Sequence, residues 1–116
     1  MKLKFIANAC CIVESKKGTK IVSDPWINDG VFDGSWCHFH ELKTTWDDLQ
    51  SVDAVYVSHV HPDHFDNRFF QFPKDTPMIV LDHGMNFLHK NLIAMGYTNL
   101  IKIKNYETLP FKDFKL

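Results

Sequence analysis

Asp53-Ala54-Val55-Tyr56-Val57-Ser58-His59-Val60-His61-Pro62-Asp63-His64-Phe65 is the stretch on which the reading of this chain turns. Its first half is a short apolar, β-branched run, the composition of a strand buried on both faces. Its second half places three imidazoles and a carboxylate within six residues, 59 to 64. Side chains on an extended segment alternate between faces, so His59 and His61 project to the same side. Asp63 repeats that spacing, and His64 follows where Pro62 interrupts the strand. Neutral imidazole is a common ligand of zinc, iron and manganese. Burying such a cluster without a partner would cost stability, which argues against an accidental grouping. His59 and His61 can grip one ion. Asp63 and His64 can hold a second, or Asp63 can act as general base toward a water that the metal activates. One loop leaves the coordination open, so further ligands are expected from elsewhere.

The flanking segments predict the scaffold. Residues 3–7, 9–15 and 20–23 read as short strands, the second and third joined by a turn at Lys16-Lys17-Gly18-Thr19. Asp24-Pro25-Trp26 stops the third strand, and Trp26 is expected to pack under the histidine loop. Residues 27–44 form a long loop with aromatic anchors at Phe32, Trp36 and Phe39, and loops of that length are usually functional. His38 and His40 share one extended side near Asp33 and Glu41, as candidate pocket residues or as part of a solvated loop. Thr45 and Asp48 form a capping box before a short helix. Asp66 caps another over 67–72, ended by Pro73. Residues 77–81 read as a buried strand. Met85, Leu88, Leu92 and Met95 predict a helix over 85–95 whose apolar stripe faces the core, stopped by Gly96. His83 beside Asp82 is a further pocket candidate, whereas His89 is expected at the surface. Residues 100–103 form a strand and 111–116 begin another. Strand–helix alternation implies an α+β fold with α/β-type layers, a sheet covered by helices on one side.

Length and composition narrow the function. At 116 residues the chain is one domain, here residues 1–116. A net charge of −1 carries no electrostatic footprint for nucleic acid or an anionic membrane, so the expected partner is a small-molecule substrate. No apolar run is long enough to span a bilayer. Lys2 and Lys4 ahead of Phe5–Val13 imitate a secretion signal, but Asn8 interrupts the apolar stretch. Cys10, Cys11 and Cys37 are odd in number and lack C-x-x-C spacing, which suits reduced thiols in the cytoplasm.

The pattern H-x-H-x-D-H after a buried strand, with Ser23-Asp24-Pro25-Trp26 and two N-terminal strands ahead of it, closely resembles the metallo-β-lactamase fold superfamily. The resemblance implies an αββα sandwich, of which this chain carries the N-terminal αβ half. It implies His59 and His61 as first-site metal ligands, Asp63 and His64 as second-site ligands, and Asp24 as a support beneath them. Asp24-Pro25-Trp26 is similar to the branch containing L-ascorbate-6-phosphate lactonase and N-acylphosphatidylethanolamine phospholipase D. Adding Phe32, Trp36, His40-Glu41 and Tyr56-Val57-Ser58-His59, about residues 20–90 resemble the metallo-β-lactamase-like domain of CMP-N-acetylneuraminate hydroxylases. No Rieske signature is present, so hydroxylase activity does not carry over. The family's third first-site His, bridging Asp and last His come from its second half, and nothing after His64 matches them. A C-terminal half or a second chain is therefore expected to complete the fold. The activity implied is metal-dependent hydrolysis of a phosphoester, lactone or amide, with Asp63 catalytic and zinc bound as one or two ions; manganese or iron are the alternatives. The rival readings are an iron-dependent oxidoreductase and a non-catalytic metal-binding half-domain.

Overall fold

The alternating apolar runs become strands of one sheet. A computed structural model describes residues 1–116. The strands are β1 (Lys2–Ala7), β2 (Cys10–Glu14), β3 (Lys20–Ser23), β4 (Ala54–Val57), β5 (Met78–Leu81) and β6 (Leu100–Ile103), and they neighbour one another in chain order. β1, β2 and β3 pair antiparallel, as hairpins must; β3 to β6 pair parallel. The crossovers carry helix α1 (Trp46–Leu49) and helix α2 (Phe87–Ala94). Thr45 and Asp48 form the expected capping box on α1. A separate hairpin, β7 (Pro110–Phe111) and β8 (Phe114–Lys115), closes the chain. No helix is long and apolar enough to cross a membrane.

Period-two alternation divides the core. Val22, Val55, Val57, Met78 and Val80 point to one face, where Leu49, Phe65, Phe70, Phe72, Leu88, Leu92 and Tyr97 cover them. Ile21, Ala54 and Ile79 point to the other, where Ile101, Ile103 and the β7–β8 hairpin residues Phe111 and Phe114 pack. Each fully buried Val or Leu contributes roughly 1.5–3 kcal/mol of transfer free energy. Tyr56 shares this second face and is 37% exposed, so β4 is sealed on one side and partly open on the other.

Four expectations are corrected. Residues 67–69 form a turn and 70–72 run on without regular structure, in place of the expected helix. The Asp66 carboxylate is taken by the Arg68 backbone N–H and guanidinium, and Phe70 and Phe72 both reach the core at strand-like spacing. α2 starts at Phe87, which leaves Met85 exposed ahead of it rather than on the core stripe. His89 is buried, not at the surface; it lies three residues from Leu92 on the inner side of α2, and its Nε2 stands 3.1 Å from the Leu81 carbonyl. Residues 111–116 turn back on themselves at Lys112, whose φ of 50° breaks a continuous strand.

The hairpin is tied down by Lys112 to Asp53 and by Thr19 to Asp113. The Lys112 ammonium, and next the Lys20 backbone N–H, hold the Asp53 carboxyl below the usual carboxylate range. A depressed folded-state value means the contribution is present above the ordinary carboxylate range and lost as pH falls through the folded value. Lys112→Ala is expected to move the amide resonances of Phe114 and Leu116 at neutral pH and to flatten their acid-side titration; an unaltered titration contradicts the pairing. The three thiols are all free. Burial pushes the Cys10 thiol up to about 12, whereas Cys37 is exposed. Iodoacetamide at mildly alkaline pH is therefore expected to modify Cys37 first and Cys10 only in denaturant, as read by intact mass.

Candidate functional site

The register of the parallel strands builds the site. Ser23 on β3 is level with Tyr56 on β4, and the Asp24 N–H donates to the Tyr56 carbonyl at 2.9 Å. Asp24 therefore stands beside Ser58 at the carboxyl edge of the sheet, the edge where open α/β sheets bind ligands. Its carboxylate accepts from the Ser58 N–H at 2.7 Å and the Ser58 hydroxyl at 3.0 Å, and lies 3.1 Å from His64 Nδ1. Past Ser58 the chain turns sharply. The His61 carbonyl accepts from the N–H groups of His64 and Phe65, and Phe65 drops into the core as an anchor.

This turn stacks three imidazoles. The His59 ring centroid lies 4.5 Å from that of His61 and 4.1 Å from that of His64. Their partners assign the tautomers, since a carboxylate can only accept. His64 Nδ1 donates to Asp24. Ser58 gives its proton to Asp24, so His59 Nδ1, 2.8 Å from that hydroxyl oxygen, donates to it. His59 is then left with Nε2 as its lone-pair nitrogen, whereas His64 has a carboxylate at each ring nitrogen, Asp24 at Nδ1 and Asp63 at Nε2. Burial, and next the neighbouring His64 and His61, push His59 below the ordinary imidazole range and keep it neutral, the form that ligates metals.

Asp63 is buried and faces the same group. The Asn8 amide donates to its Oδ2 at 3.0 Å, across 55 residues of sequence. Asp63 Oδ2 also stands 3.3 Å from His64 Nε2. The donor set of three imidazoles and a carboxylate suits zinc, iron or manganese. As placed in this structure, however, no three His, Cys, Asp or Glu side chains come together in an arrangement that could hold a metal ion.

The remaining candidates lie apart. His38 is packed on Trp26, ring centroids 4.0 Å apart, with its Nδ1 at 2.7 Å from Asp29. His40 is exposed and meets Phe39 edge-on. His83 sits in an exposed turn and accepts from the Met85 N–H. Their ring and hydrogen-bond partners lie outside the histidine loop. Two residues of the site, Ser58 and Asn8, had no predicted role. Ser58 sits inside the motif stretch, but its part depends on the β3–β4 register. Asn8 was read only as a break in the apolar stretch Phe5–Val13; it adopts φ 49°, a left-handed conformation that asparagine tolerates better than most residues. Asp24, at φ 39°, is similarly placed.

A mostly parallel sheet with this loop at its carboxyl edge defines the class, and sequence comparison agrees with it. The chain belongs to the β-lactamase superfamily: the family described as Beta-lactamase superfamily domain matches residues 2–108. It is similar to an isothiocyanate hydrolase from Delia radicum gut bacteria, with a TM-score of 0.73 and 26% identity over 97% of this chain and 44% of that one. One sheet with helices on one face is thus the αβ portion of the expected sandwich. A Mycolicibacterium smegmatis protein named for a Rieske 2Fe-2S cluster is 33% identical over 88% of this chain. The mouse cytidine monophosphate-N-acetylneuraminic acid hydroxylase is 31% identical over 86%. The chain spans about a fifth of the length of these two relatives, 20% and 18%.

Asp24 holds the two strand ends together, so its removal has a measurable cost. Asp24→Ala leaves the partly buried Ser58 N–H without its acceptor and is expected to destabilise the chain by about 1–3 kcal/mol in urea unfolding. An unchanged midpoint would show that the carboxylate is not structural.

Proposed function

We propose that this domain is a metal-dependent hydrolase acting on a phosphoester, lactone or amide. The observation that carries the reading is the convergence of His59, His61 and His64 with the buried Asp63 at the carboxyl edge of the sheet. A bound ion, with zinc favoured over manganese or iron, would supply Lewis-acid activation of a water molecule. His59 and His64 would hold it through Nε2 and His61 through one of its ring nitrogens, and Asp63 would serve either as a further ligand or as the base for the metal-activated water. Asp24 orients the ring of His64, and the Ser58 hydroxyl orients that of His59. Asn8 holds the Asp63 carboxylate in place for either role. The rest of the coordination comes from a further part of the fold, in the same polypeptide or in a second chain. The site of work is the cytoplasm, and the substrate is a small molecule.

A second reading has its own support. Relatives named as a Rieske protein and as hydroxylases suggest iron and redox chemistry at the same ligands, with electrons from another protein. A non-catalytic metal-binding half-domain is the third.

Metal analysis and turnover separate the three. The hydrolase reading expects bound zinc or manganese and hydrolysis of bis(p-nitrophenyl) phosphate or a p-nitroanilide, with Asp63→Ala lowering kcat/KM by about 10²-fold or more. Full activity in Asp63→Ala would remove the role given to that residue. Iron as the dominant metal, with oxygen consumed when a Rieske protein is added, favours the second reading. Metal binding that His59→Ala abolishes, without turnover of either kind, favours the third.

A further inference from the structure

The histidine loop also borders a second place. Val60 and Pro62 alternate with the histidines in sequence and line a cleft of about 370 Å³ that none of the three imidazoles lines. Val31 and Phe32 add to its apolar surface, a size and lining suited to one small organic molecule. The cleft also carries two opposite charges, Asp33 and Arg68. Both residues are exposed, and neither lines another of the molecule's main clefts. Arg68 is held along one edge of its guanidinium. Nε donates to Asp66 Oδ1 at 2.8 Å and Nη2 to Asp66 Oδ2 at 2.9 Å, and that carboxylate is buried. Nη1 has no partner in the protein, so the oriented fork keeps donors for an incoming carboxylate. Asp33 sits beside Phe32 on a left-handed turn, at φ 57° and 52°, held by the Trp36 and Ser35 N–H groups on the Val31 and Phe32 carbonyls. Its carboxylate makes no hydrogen bond and lies beyond ion-pair reach of Arg68. Two opposite charges that share a cleft without meeting are complementary to a ligand that carries one of each.

We infer that this cleft binds a free apolar α-amino acid: Arg68 takes the carboxylate, Asp33 takes the ammonium, and Val31, Phe32, Val60 and Pro62 receive the side chain. The site is separate from the histidine cluster and does not rest on the hydrolase reading. It borders that cluster all the same, since Phe32 meets His61 edge-on with ring centroids 6.4 Å apart.

Leucine, 4-methylpentanoate and 3-methylbutylamine are the probes. They share one side chain and carry, in turn, both charges, the carboxylate alone and the ammonium alone. Each is titrated into the whole chain at neutral pH and low salt, without metal, while the methyl resonances of Val31 and Val60 are followed. Leucine is expected to shift both saturably and to bind about five-fold tighter than either single-charge probe, the effect of one exposed ion pair. Asp33→Asn removes the charge and keeps a residue that tolerates the left-handed backbone, so the turn is retained. In that variant the advantage of leucine over 4-methylpentanoate should vanish and its advantage over 3-methylbutylamine should stay. Arg68 is left in place, because its loss would strand the buried Asp66 carboxylate. Either single-charge probe binding the unaltered chain as tightly as leucine, or leucine leaving both valines unmoved, overturns the site whether or not the variant folds.

Discussion

The Asp24 carboxylate is the constraint on which the rest of the site depends. It sits at the end of β3 with a left-handed backbone, accepts two hydrogen bonds from Ser58 at the end of β4, and touches the Nδ1 of His64. One residue therefore fixes where two parallel strands stop and how one imidazole is turned. A non-glycine residue held at positive φ is strained, and such strain persists where surrounding contacts over-determine the conformation. Pro25 and the buried Trp26 follow directly, so the chain cannot relax along the strand direction. The catalytic reading of the loop needs that rigidity, because ligands borrowed from a single turn are otherwise free to splay.

Much of this was legible in the residues. The runs at 20–23, 54–57, 78–81 and 100–103 are short, apolar and largely β-branched, the composition of strands buried on both faces, and their neighbours carry the turn residues that separate them. The proximity of His59, His61 and His64 was legible because they lie within six residues, although it is the turn after Ser58 rather than a continued strand that gathers the rings, and the Thr45–Asp48 cap was legible because it is local. What could not be read depends on packing between distant segments. Asp66 has the chemistry of a helix cap, yet Arg68 captures it and the aromatic residues that follow are drawn into the core. His89 is polar, yet one turn of α2 places it beneath the Leu81 carbonyl. The Asn8–Asp63 bond has no local signature at all.

The two faces of the sheet have different roles. The helix-covered face is closed by large side chains, among them Tyr97, whose hydroxyl accepts from the Phe72 N–H and so ties the end of the 65–72 segment to α2's exit. That segment begins with the Phe65 anchor, so the histidine loop is held at both ends, by Asp24 before it and by the aromatic cluster after it. The opposite face is thinner, covered by a two-stranded hairpin that leaves Tyr56 half-exposed. The site lies at the edge shared by the two faces.

The bond from Asn8 to Asp63 gives the first hairpin a second duty. β1 is an edge strand, and edge strands are among the first elements to fray and the readiest to recruit foreign strands. Lys2 and Lys4 guard this one, alternating along it with the exposed Leu3 and Phe5. Because Asn8 sits at the tip of the β1–β2 turn, each local opening of that hairpin frees the carboxylate it restrains. The order of the loop is thus set partly by the least protected strand of the sheet, and whatever sheathes that edge also steadies Asp63.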